Sequence, residues 1–125
     1  MRPVPLQPPP SPQERTDALA DGLKRLQAQR VEWFSPRMLL KDGRELGLFS
    51  AKEIRDAILH CLVSEVKENH YRGTRPPAES WDYGKPLLIF VWKSSSLSVE
   101  VYFKFELVDD RVVIYSFHKS RPKGR

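Results

Sequence analysis

A chain of 125 residues is large enough to bury one hydrophobic core, which sets the expectation of a single domain. No stretch approaches the ~20 apolar residues of a membrane span, and one cysteine, Cys61, leaves no partner for an internal disulfide. The formal net charge of +5 favours an anionic partner, nucleic acid first, and the cysteine usage fits a reducing, cytoplasmic location away from membranes.

Residues 1–10 are a proline-rich tail, with Pro3, Pro5, Pro8, Pro9 and Pro10 opposing helix and sheet. This composition is unlike a Leu-rich signal peptide. Ser11-Pro12-Gln13-Glu14 reads as a capping box with proline at the first helical position, opening a helix to about Gln29. Leu19, Leu23 and Leu26 form its apolar stripe, and Gly22 weakens it. Val31 to Phe34 is short and β-prone, an expected edge strand. Ser35-Pro36 starts a second helix carrying Met38, Leu39 and Leu40, which Gly43 interrupts and which ends near Gly47. Ser50-Ala51-Lys52-Glu53 is a further capping box. The helix behind it sets Ile54, Ala57, Ile58, Cys61 and Leu62 on one face, where Cys61 reads as a small core residue.

Val63 to Tyr71 alternates without a clean face and is assigned to a strand. Arg72 to Lys85 is a loop by its Gly and Pro content. The continuous apolar run from Leu87 to Lys93 reads as a central strand covered on both faces. The expected fold is therefore α+β, with N-terminal helices packed on one face of a small antiparallel sheet, spanning residues 11–120. A basic tail, 121–125, follows.

The stretch from Ser98 to His118 carries the clearest pattern. Val99, Val101, Phe103, Phe105 and Leu107 alternate with Glu100, Tyr102, Lys104 and Glu106, and a β-rich run follows a turn at Asp109-Asp110-Arg111. A two-residue turn would pair Val108 with Arg111 and put Tyr102 opposite Phe117, mixing polar and apolar residues on both faces. A three-residue turn pairs Val108 with Val112, sets Phe103 opposite Phe117 and Phe105 opposite Tyr115, and gathers Tyr102 beside His118 and Lys104 beside Ser116. Because a one-residue slip turns a strand over, burial favours the second register. Its outward face would hold a phenol, an imidazole, an ammonium and a hydroxyl. Its cost is a turn lacking the glycine or asparagine that a left-handed position prefers.

His60, His70 and His118 share no metal-ligand spacing, and the scattered glycines form no phosphate loop, so no cofactor is expected. What remains is a basic and aromatic set: Arg72, Tyr102, Lys104, His118 and Lys119. Metal-free RNA cleavage needs such a set: a base for the 2′-hydroxyl, an acid for the 5′-oxygen, and cations for the charge on phosphorus. Histidine titrates near neutral pH and suits either proton role. The competing reading is an ordinary solvated face with Tyr102 and His118 as a cross-strand pair.

The sequence also resembles the MqsR-type toxins of bacterial toxin–antitoxin pairs, small RelE-like RNases. Residues 26–48, LQAQRVEWFSPRMLLKDGRELGL, resemble that family's helix, short strand and second helix with its closing Glu-Leu-Gly-Leu. His70-Tyr71-Arg72-Gly73 is similar to its Phe-Tyr-Lys-Ser step, Val101-Tyr102-Phe103-Lys104 to its Val-Tyr-Leu-Lys, and Ser116-Phe117-His118 to its Ser-Phe-Lys. The resemblance implies a ribosome-independent mRNA endoribonuclease with a RelE/MqsR-like fold, a cognate antitoxin as protein partner and mRNA as substrate. It carries the functional roles onto Arg72, Tyr102 and His118; the nearby aromatic and basic residues Tyr71, Lys104, Lys119 and Arg121 are assigned to RNA binding. His118 stands where that family has a lysine, and the family's glutamine on the preceding strand has no counterpart here.

Overall fold

A computed structural model describes residues 10–73 and 87–121. The expected tail at 1–9, the loop at 74–85 and the tail at 122–125 lie outside the described residues. The element order is α1 (Pro12–Gln27), β1 (Val31–Trp33), α2 (Pro36–Glu45), α3 (Ala51–Ser64), a 3₁₀ turn at Glu68–His70, β2 (Tyr71–Gly73), β3 (Leu88–Ser94), β4 (Val99–Val108) and β5 (Arg111–Lys119). The fold is α+β. Its five strands form one sheet in the order β1-β5-β4-β3-β2. The sheet is mixed rather than wholly antiparallel, because β1 runs parallel to β5, with Val31 opposite Val112 and Trp33 opposite Ile114. Two helices and three strands separate β1 from β5 along the chain, so nothing forces the antiparallel sense of a tight hairpin.

Local chemistry sets the helix starts. Ser11 Oγ accepts from Glu14 N–H at 3.1 Å while Glu14 Oε1 accepts from Ser11 N–H at 2.8 Å. Ser50 Oγ caps α3 through Glu53 N–H at 3.1 Å, but the Glu53 carboxylate reaches past the cap to Phe49 N–H. At the end of α2, Gly47 takes φ +79° and the N–H groups of Gly47 and Leu48 return to the carbonyls of Arg44 and Gly43, a Schellman close. Gly43 does not interrupt α2. It is buried, and a Cβ there would stand 2.7 Å from Ile54 Cδ1, so the glycine lets α2 and α3 approach closely.

Two assignments change between Val63 and Gly73. Val63 and Ser64 continue α3, and the 3₁₀ turn replaces the expected strand until Tyr71. The chain leaves the helix at Glu65, whose carboxylate accepts from Trp92 Nε1 at 2.9 Å and from Ser96 N–H at 3.0 Å. That anchor to the β3–β4 turn is a tertiary contact with no local signature. Arg72 and Gly73 belong to β2, not to a loop.

Both proposed hairpin registers occur. Near the turn, Val108 pairs with Arg111 and Phe105 with Ile114, with Asp109 at φ +53°. Beyond it, Lys104 pairs with Ser116, Phe103 with Phe117 and Tyr102 with His118. Tyr115 is the extra residue of a β-bulge between the two halves. The bulge permits the short turn and still keeps Phe103, Phe105, Ile114 and Phe117 on one face. That face meets Leu19 and Leu26 of α1, Leu39 of α2, and Ile54, Ile58 and Cys61 of α3, closing one core. Burial pushes the Cys61 thiol up to about 12, so it is a packed, protonated core group.

Candidate active site

β1 stops opposite Ile114, whereas β5 continues to Lys119, and α2 packs along β5. This places α2 beside the half of β5 that carries His118. Leu39, Asp42 and Gly43 turn inward, and Asp42 faces Arg121, just beyond the end of β5. Arg121 Nη2 donates to Asp42 Oδ1 at 3.2 Å and lies 3.9 Å from Glu45 Oε1.

Tyr102 and His118 are cross-strand partners, stacked with ring centroids 4.9 Å apart. His118 Nδ1 sits 2.7 Å from the Lys119 carbonyl oxygen, which can only accept. With the Nδ1 proton directed at that carbonyl, Nε2 is the acceptor facing Arg121 Nη1, which lies 3.0 Å from Nε2 and 3.1 Å from Nδ1. Burial lowers the His118 pKa, and the Arg121 charge lowers it further, while the Lys119 carbonyl, Asp42 and Glu45 push it up. The net direction is downward, which keeps the imidazole neutral near pH 7. A neutral imidazole with a defined acceptor nitrogen beside a guanidinium can take a proton from a hydroxyl and hand the charge to a neighbouring anion.

The second sheet face is less open than its alternation implied. His118 is only 9% exposed, and Ile89, Glu106 and Val113, farther along the sheet, are also buried. Glu106 accepts from Tyr115 Oη at 3.0 Å, and Tyr115 stacks on Phe34. A face read as solvated thus includes a buried carboxylate and a buried imidazole.

Tyr102, Lys104 and His118 share this face. Tyr71 points the other way, edge-on to Phe90 and under the Arg15 guanidinium, where it supports the core. Arg72 is exposed on β2 at an irregularity of the pairing, where Tyr71 lies opposite Phe90 and Gly73 opposite Ile89, two strands from β4. At ~4.8 Å per strand that is roughly 10 Å from Tyr102 and roughly 14 Å from β5. Lys119 pairs with Val101 and so faces away from His118, exposed at the end of β5. Asp42 was not singled out in the sequence. Its signal was slight: it lies three residues after Leu39, on the inward side of α2.

Among the described residues, no group of three His, Cys, Asp or Glu side chains could hold a metal ion, and no helix is long and apolar enough to cross a membrane. Compared with known proteins, the chain matches no family model and no curated relative.

Proposed function

We propose that this chain is an endoribonuclease acting on mRNA, the toxin of a type II toxin–antitoxin pair. The observation that carries the reading is the stacked Tyr102–His118 pair, with a neutral imidazole whose Nε2 lies within hydrogen-bond reach of Arg121. The order of the motifs shared with the MqsR-type toxins supports the same reading.

In this mechanism Arg121 moves from Nε2 onto the scissile phosphate. The neutral His118 imidazole takes the 2′-hydroxyl proton as that oxygen bonds to phosphorus. The Tyr102 phenol gives its proton to the departing 5′-oxygen as the P–O5′ bond breaks. Arg121, Lys104 and Arg72 offset the charge that builds on the phosphorane. The products are a 2′,3′-cyclic phosphate and a 5′-hydroxyl. In this reading the proton transfers and charge stabilisation are all assigned to side chains, with no metal and no ribosome.

The test is incubation of the purified protein with mRNA in EDTA, with the new ends mapped. Cyclic phosphate and 5′-hydroxyl ends are expected. Intact RNA, or cleavage only after a metal is added, overturns the mechanism.

A second reading, a non-catalytic module that binds nucleic acid or a protein, is favoured by one observation: Arg121 is itself held on His118 by Asp42, as a structural brace would be. RNA that is bound saturably and recovered intact selects this reading.

A further inference from the structure

Trp33 of β1, Pro36, Leu39 and Leu40 of α2, and Ala51 and Ile54 of α3 line a small apolar groove. No lining side chain carries a charge. Leu40 is 37% exposed at the lip, and Phe49, which precedes the Ala51 wall, is 70% exposed. Sheet order leaves β1, which supplies Trp33, as an edge strand.

Beside the groove runs a row of cations. Arg37, Lys41 and Arg44 stand at i, i+4 and i+7 on the solvent side of α2, and all three are exposed. Leu40 is three residues after Arg37 and four before Arg44, so the cations flank it on the helix surface. Their spacing covers roughly 10 Å at 1.5 Å per residue. The ion pairs among the described residues engage other cations: Arg15, Arg30, Lys52, Arg55, Arg111 and Arg121. Arg37, Lys41 and Arg44 have no acidic neighbour within ion-pair distance among the described residues.

We infer that the β1–α2–α3 groove is a docking site for an acidic amphipathic protein segment, with apolar side chains in the groove and carboxylates on Arg37, Lys41 and Arg44. Helix-in-groove recognition uses this combination of a few apolar anchors and a charged rim. The apolar groove distinguishes the surface from a phosphate-binding patch, for which the cations alone would serve. The groove lining includes neither Asp42 nor His118. The inference therefore stands without the nuclease reading.

The experiment measures fluorescence anisotropy of a labelled helical peptide with leucines on one face and glutamates on the other. Its controls replace every glutamate by lysine, or every leucine by serine. Saturable binding of the first peptide alone is expected, weakening as salt is raised. Leu40→Glu and Ala51→Arg alter exposed groove residues and should each weaken it by about tenfold. Reversal of the row, Arg37→Glu with Lys41→Glu and Arg44→Glu, should do the same. Circular dichroism and thermal unfolding confirm that each variant remains folded. Equal binding of the lysine peptide, or binding unmoved by both groove variants, overturns the inference. So does a result in which row reversal abolishes binding of a single-stranded RNA and leaves peptide binding unchanged.

Discussion

The imidazole of His118 lies against the phenol ring of Tyr102 with the two planes within 7° of parallel. Only the upper register of the hairpin, beyond the Tyr115 bulge, makes them partners. In the proposed reaction both rings move protons, so His118→Ala should lower RNA cleavage by about 10²–10⁴-fold, the usual worth of a general acid or base. It should also relieve growth arrest on expression. The checks are initial rates on mRNA and a growth assay, beside a circular dichroism spectrum showing retained fold. Undiminished toxicity would remove His118 from the chemistry.

Stability should fall as pH is lowered through about 6.5, the ordinary value for histidine. Burial depresses the His118 pKa in the folded state, so below 6.5 the unfolded chain binds a proton that the folded chain resists. The contribution is fully present above 6.5 and is lost as pH drops toward the folded value. Denaturant unfolding at a series of pH values measures this. His118→Gln should flatten the profile between pH 7 and 5, and an unchanged slope would place the effect on other groups.

Arg121→Ala has two expected consequences. It removes a positive charge from beside His118, so the imidazole should titrate at higher pH in an NMR experiment. It also takes the hydrogen-bonded cation from Asp42, which is only 6% exposed. That loss should cost about 1–3 kcal/mol of stability. A His118 titration that does not move would show that Arg121 is not seated on Nε2 in solution.

Gly43→Ala tests why a glycine sits inside α2. On helix propensity alone the change gains about 1 kcal/mol. Here the new Cβ would stand 2.7 Å from Ile54 Cδ1, 3.0 Å from Ile54 Cγ1 and 3.2 Å from the Leu48 carbonyl oxygen. Ile54 is 1% exposed, and the Leu48 carbonyl is backbone that cannot rotate away. Overpacking costs about 1–3 kcal/mol, so a net loss is expected, read as a lower denaturant midpoint with an unchanged slope. A raised midpoint would mean that the two helices separate without penalty.

Much of the α+β fold was legible because local signals recur at each boundary. Ser11, Ser35 and Ser50 cap the three helices as read, and the alternation from Val99 to Leu107 marks β4 and its core face. Gly43 was misread as an interruption of α2, since its role lies in a second element, the close approach of Ile54. The chain past Ser64 was misread because Glu65 is directed by Trp92 and Ser96, some thirty residues on.

For the candidate site, the sequence by itself determined that Tyr102, Lys104 and His118 share a face, because a strand of period two leaves no other outcome once Phe103 and Phe117 are buried. It could not determine that the turn would be short and a bulge at Tyr115 would restore the register. That balance is struck between turn geometry and core packing, which meet only in the folded sheet. Nor could it show that Asp42, from a helix about eighty residues earlier, would hold Arg121 on His118. Pairwise electrostatics of this kind depend on distances through space, and only the packing of α2 along β5 fixes them.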